Sequence, residues 1–158
     1  MTMEKATFGA GCFWGVEVEF CRIPGVVETA VGYEGGKLEK PTYKDVCTDN
    51  TGHAEVVEVT YDPAKVSFET LVRAFFTLHD PTQLNRQGPD WGTQYRSAIF
   101  FHSPEQEAVA RGVIEHLTLE KKFSKAIVTQ VVPAQTFWRA EEYHQKYLEK
   151  RGQASCHI

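Results

Sequence analysis

The sequence has no run of lysines or arginines, no apolar stretch near the roughly 18 residues of a membrane span, and no CxxC pair. Its 17 basic and 21 acidic residues leave a formal charge of −4, without a cationic stripe to follow a phosphate backbone, so no nucleic-acid partner is expected. The opening MTMEKATFGAGCFWG lacks the basic start and apolar core of a signal peptide. A soluble, cytoplasmic protein with no membrane partner is the expectation. Four cysteines, Cys12, Cys21, Cys47 and Cys156, lie far apart, which suits neither a zinc ribbon nor a small disulfide framework. Each is then either an inert core residue or a working thiol. The six histidines are scattered, and Cys156 and His157 are too close together to define a site alone, so no metal is expected.

What is present reads as one domain over 1–158. Residues 4–10 form a short strand that ends in glycines around Cys12. Phe13, Val16, Glu17 and Phe20 then recur at helical spacing until Pro24-Gly25. Residues 26–33 read as a strand, and HAEVVEVTY alternates with period two from His53 to Tyr61. Ser67 caps a helix whose Phe68, Leu71, Val72, Phe75 and Phe76 make one apolar stripe. A long aperiodic segment follows Asp80-Pro81, of the kind that is usually functional. Residues 95–102 give a strand, Ser103-Pro104-Glu105 starts a helix, residues 126–134 give another strand, and a helix is expected from about Ala140 to Lys150. RGQASCHI is a polar tail, read as flexible from about 151 and carrying Cys156. The order strand, helix, strand, strand, helix, strand is the split βαβ, ferredoxin-like order. The expected fold class is α+β, a two-layer sandwich with a mixed, mainly antiparallel sheet and an added C-terminal helix.

Cys12 stands at the strand-to-helix junction, where unpaired N–H groups of a first helical turn lower a thiol pKa and favour the nucleophilic thiolate. A buried cysteine acting as a small hydrophobe is the bland alternative. The flanking glycines and the aromatic pair Phe13-Trp14 favour a working thiol. Glu55 shares a strand face with Val57, Val59 and Tyr61. If that face is the buried one, desolvation raises its pKa and keeps a general acid protonated; if the other face is buried, Glu55 is solvated. Tyr43 and Tyr95 can present hydroxyls to a pocket or serve as core tyrosines with a hydrogen-bonded tip, and the pattern leaves both open. Cys21 and Cys47 are read as packing residues.

The stretches GCFWGVE, GYEGG, PTYKDVC, TGHAEVVEVTYDP, HDPTQLNRQG, DWGTQYRSAIF and AEEYHQKYL resemble, in this order, the signature segments of the type A peptide methionine sulfoxide reductases. The resemblance implies that Cys12 is the nucleophile, and that Phe13 and Trp14 form an apolar wall for the substrate S-methyl group. Glu55 would be the acid, Tyr43 and Tyr95 the hydroxyls that bind the sulfoxide oxygen, and Asp90 a support of the pocket. It also implies reduction of the S epimer of methionine sulfoxide, free or in oxidised proteins, without metal or organic cofactor, with thioredoxin as reductant. Cys156, in a tail with one nearby glycine, Gly152, is the candidate resolving thiol. A monomer is expected. A thiol peroxidase and a redox-sensing module are the rival readings of Cys12; the carboxyl of Glu55 argues against the first, and steady turnover of a sulfoxide would exclude the second.

Overall fold

A computed structural model describes residues 2–152. Strand β1 (Glu4–Ala10) leads through a two-residue turn into helix α1 (Phe13–Cys21), and β2 (Val26–Glu34) returns antiparallel to β3 (Ala54–Tyr61). Helix α2 (Tyr43–Cys47) lies between them. It starts at a capping box in which the Thr42 side chain accepts from the Asp45 N–H and Asp45 accepts from the Thr42 N–H. Helix α3 (Phe68–Leu78) is capped by Ser67. A short hairpin of β4 (Arg86–Gln87) and β5 (Asp90–Trp91) follows, then β6 (Ser97–Phe101), α4 (Pro104–Leu119), β7 (Gln130–Pro133), β8 (Trp138–Arg139) and α5 (Tyr147–Lys150).

The main sheet has the order β7-β6-β1-β3-β2-β8, with only the β6–β7 pair parallel. Its inner four strands, β6-β1-β3-β2, have the order of a ferredoxin-like core, and β7 and β8 extend its two edges. Alternation divides each strand between two faces. Phe8, Val57, Val59 and Ile99 join Phe13, Phe20, Leu71, Phe75 and Val113 in one core under α1, α3 and α4. Phe8 stacks on Phe20 and Phe75 at 4.8 and 5.2 Å between ring centroids. Each such buried ring contributes about 1.5–3 kcal/mol of transfer free energy. The other face holds Ala54, Val56, Ala98 and Phe100, covered by Val132, Ala134 and Phe137. Among the described residues no helix is long and apolar enough to cross a membrane.

Three expectations are corrected. The strand predicted over 95–102 begins at Ser97 because Thr93–Tyr95 closes a 3-10 turn, and the strand predicted over 126–134 is confined to β7. The helix predicted from Ala140 to Lys150 does not form. A 3-10 turn at Glu142–His144 is followed by Lys146 in the left-handed region at φ 52°, and only the short α5 is helical. The bonds that an unbroken helix would make are taken by other elements. The Gln145 side chain accepts from Val31 N–H at 2.8 Å and donates to Val31 O at 2.9 Å, and Lys146 N–H donates to Glu17 Oε1 at 2.7 Å. The tail from 153 onward, with Cys156, lies outside the described residues.

Candidate active site

The turn between β1 and α1 depends on Gly11, whose φ of +97° lies in the region that L side chains rarely adopt. A Cβ there would also come within 2.9 Å of the Gln87 side chain, so the β4–β5 hairpin packs directly over the turn. Cys12 follows as the N-cap of α1, half-buried and a free thiol. Its ionisation differs from the sequence expectation of a lowered pKa. Burial pushes the thiol up to about 11; the backbone N–H groups of Trp14 and Gly15 pull it down, and the carboxyls of Glu55 and Asp90 add to the rise. Desolvation and facing acids outweigh the helix terminus, so the resting sulfur carries its proton.

Glu55 sits on β3 opposite Tyr33, on the face of Val57 and Val59, and is 1% exposed. Its Oε1 accepts from Phe13 N–H at 3.3 Å, while Oε2 is buried without a hydrogen-bond partner among the described residues. Burial pushes this carboxyl up to about 8, with the Phe13 N–H opposing and the Asp90 charge reinforcing the shift. At neutral pH it is mostly the protonated acid. The hairpin brings Asp90 to the same place through the pairing of Gln87 with Asp90. Tyr95, at the end of the 3-10 turn, is raised by burial and then by Glu55, Cys47, Asp90 and Cys12, so its hydroxyl lies within electrostatic reach of all four. Tyr43, at the start of α2, is raised by burial, by a hydrogen bond with Cys47 and by Glu55 and Tyr95.

Trp14 forms the accessible part of the aromatic wall. Its ring stacks on Tyr147 at 3.8 Å and 8°, and its Nε1–H donates to His144 Nδ1 at 2.9 Å. Phe13, expected beside it, is only 1% exposed and packs behind against Tyr33 and His144. Among the described residues no group of three His, Cys, Asp or Glu side chains is placed to hold a metal ion.

A thiol, a buried protonated acid with one oxygen unpartnered and two phenols thus lie within electrostatic reach of one another at the start of the helix that carries Trp14. The profile of the family described as peptide methionine sulfoxide reductase matches residues 4–158. The chain belongs to that family. The peptide methionine sulfoxide reductase MsrA of Acidobacterium capsulatum is 71% identical over 156 residues, which cover 99% of this chain and 100% of that protein. The solved structure of methionine sulfoxide reductase A of Corynebacterium diphtheriae superposes with a TM-score of 0.90 at 42% identity, over 98% of this chain and 78% of that one. Mxr1 of Saccharomyces cerevisiae, solved in complex with Trx2, has a TM-score of 0.65 at 25% identity, over 92% of this chain and 84% of that one.

As a member of the peptide methionine sulfoxide reductases, this enzyme catalyses thiol-dependent reduction of methionine sulfoxide. The structure changes the reading of two of its other cysteines. Cys47 is an exposed free thiol at the end of α2, hydrogen-bonded to Tyr43, and not a packing residue. Cys21 is fully buried, as a packing residue would be, yet it is disulfide-bonded. Sequence reasoning also missed Tyr33, Glu141, His144 and Tyr147, which frame the site from behind. The clustered acids and aromatics of AEEYHQKY were a signal, but the expected helix gave them no common direction.

Proposed function

We propose that this reductase acts on the S epimer of methionine sulfoxide through Cys12 as nucleophile and Glu55 as general acid. Tyr43 and Tyr95 hold the sulfoxide oxygen, Trp14 with Phe13 behind it receives the S-methyl group, and Asp90 supports the pocket. Cys12 loses its proton and attacks the sulfoxide sulfur while Glu55 donates a proton to the oxygen. The S–O bond breaks, methionine leaves as the thioether, and the hydroxyl ends on Cys12 as sulfenic acid. Two electrons have passed from the Cys12 sulfur to the substrate sulfur, and the Cys12 proton restores Glu55. The thiol of Cys156 then condenses with the sulfenic acid, releasing water and leaving a disulfide for thioredoxin to reduce. The yeast relative in complex with Trx2 supports that last partner. No organic cofactor or metal enters this scheme, and we take the protein to work as a cytoplasmic monomer with one catalytic domain over 1–158.

Glu55 carries the assignment. A buried carboxyl that stays protonated near neutrality, with one oxygen unpartnered beside a thiol, suits protonation of a poor leaving oxygen. The test is consumption of racemic methionine sulfoxide with a dithiol. It should stop near one half and leave the R form, and Cys12→Ser should abolish it with the fold intact. Complete consumption by the pure enzyme would refute the epimer assignment, and residual activity above a few per cent in the serine variant would remove Cys12 from the mechanism.

A further inference from the structure

The carboxylate of Glu141 ties the two walls of the pocket together. Its Oε1 accepts from the hydroxyl of Tyr33 at 2.9 Å, and its Oε2 accepts from the backbone N–H of Tyr43 at 2.9 Å. Tyr33 is fully buried on β2, paired across the sheet with Glu55 and packed on the ring of Phe13, directly after the nucleophile. It is a fixed point of the fold. Tyr43 is the first residue of α2, a five-residue helix whose opening N–H groups have no partner within the helix. The Tyr43 ring rests on His144 at 4.5 Å between centroids, so the segment that takes its backbone N–H also supports its ring. Burial works against ionisation of Glu141, but the N–H groups of Tyr43 and Glu141 itself and the Tyr33 hydroxyl outweigh it and hold the carboxyl below its usual range.

We propose that Glu141 is a positioning residue for the reductase reaction, which anchors Tyr43 to the rigid β2 strand so that its hydroxyl meets the sulfoxide oxygen. The inference rests on the role given to Tyr43 above. α2 is short and reaches the sheet through loops on both sides, and beside the burial of Val46 in the core this tie sets where the phenol stands relative to Cys12 and Glu55. An oxygen whose charge grows as the S–O bond breaks is sensitive to the placement of its donor, and misplacement lowers kcat more than it raises KM.

The experiment is a double-mutant cycle on kcat with methionine sulfoxide. Glu141→Ala should lower kcat by roughly tenfold or more with KM nearly unchanged. Glu141→Gln should retain most of the rate, because the amide oxygen can accept from Tyr43 N–H while the amide nitrogen donates to the Tyr33 oxygen. Tyr33→Phe keeps the ring packing and loses only the hydroxyl; it should show a smaller loss in the same direction, and it serves if the alanine variant folds poorly. In a Tyr43→Phe background neither change should lower kcat further. If Tyr43→Phe is slow while Glu141→Ala and Tyr33→Phe keep the wild-type kcat, or if the losses multiply in the double variants, the positioning role is wrong and the role of Tyr43 stands. If Tyr43→Phe keeps full activity, both fall together.

Discussion

Cys12 at about 11 and Glu55 at about 8 titrate above their ordinary values, and the order of the two determines the pH profile. In the proposed reaction the competent state pairs a Cys12 thiolate with a protonated Glu55. Below pH 8 the acid is in place and the thiolate fraction grows about tenfold per pH unit. Above pH 8 that growth is cancelled by loss of the acid. Rate over the range 6–10 should therefore rise and level off near 8 in kcat/KM, whereas Glu55→Gln should be far slower and keep rising; a wild-type profile flat from 6 to 8 would contradict the pairing. The same carboxyl affects stability. Between its ordinary value of 4.5 and about 8 the unfolded chain loses a proton that the fold retains, so rising pH costs folding free energy through this window. Glu55→Gln should then raise the melting temperature at pH 8 by on the order of 5 °C, with little gain at pH 4. A lower melting temperature at pH 8 would reverse that sign. Alternation put Glu55 on one strand face with Val57, Val59 and Tyr61 but left open whether that face was the buried one, because the opposite face, with Ala54 and Val56, is apolar and buried as well. The ionisation of Cys12 was not legible, because the helix terminus is local while Asp90, Glu55 and the burial come from distant segments.

At the scale of elements, the segment from β8 to α5 shows where local pattern loses to tertiary bonding. Its residues suit a helix in isolation, yet Gln145 inserts its amide against the edge of β2, and Lys146 takes a left-handed turn that leads Tyr147 over Trp14. Glu17 holds that turn in place. It is 1% exposed on α1, with Oε1 accepting from Lys146 N–H and Oε2 from the Thr29 hydroxyl at 2.8 Å. The periodicity placed Glu17 on the inward face of α1 but could not name its partners, which arrive from the far end of the chain. Glu17→Ala leaves the buried Thr29 hydroxyl and the half-buried Lys146 N–H without their acceptor, so unfolding free energy should drop by about 2–4 kcal/mol, measured as a lower denaturant midpoint. Glu17→Gln should lose less, since one oxygen can still accept from Lys146. Equal midpoints for wild type and Glu17→Ala would show that the segment is held by its rings and by Gln145 alone.

For the molecule as a whole, the ferredoxin-like core was legible because each of its elements has a strong local signal and they follow one another in order. The edge strands β7 and β8 were less so, since four and two residues carry little periodicity. Recycling of the nucleophile, as proposed above, is also a property of the whole molecule, because it would join the two ends of the chain. In the structure Cys12 and Cys47 are free thiols while Cys21 is disulfide-bonded. The first step after sulfenic acid formation is expected to pair Cys12 with Cys156. Cys21 is a poor direct partner, because along α1 it lies about 13 Å from Cys12 at the helical rise, beyond disulfide reach. Cys156→Ser should therefore still release one methionine per enzyme in a single turnover, lose turnover with thioredoxin, and keep some rate with a small thiol that attacks the sulfenic acid directly. Peptide mapping through one turnover of the wild type should show Cys12 joined to Cys156 first, and later a species with Cys12 free and Cys21 oxidised. An early Cys12–Cys47 link, or full thioredoxin-driven turnover in Cys156→Ser, would move the resolving role away from the tail.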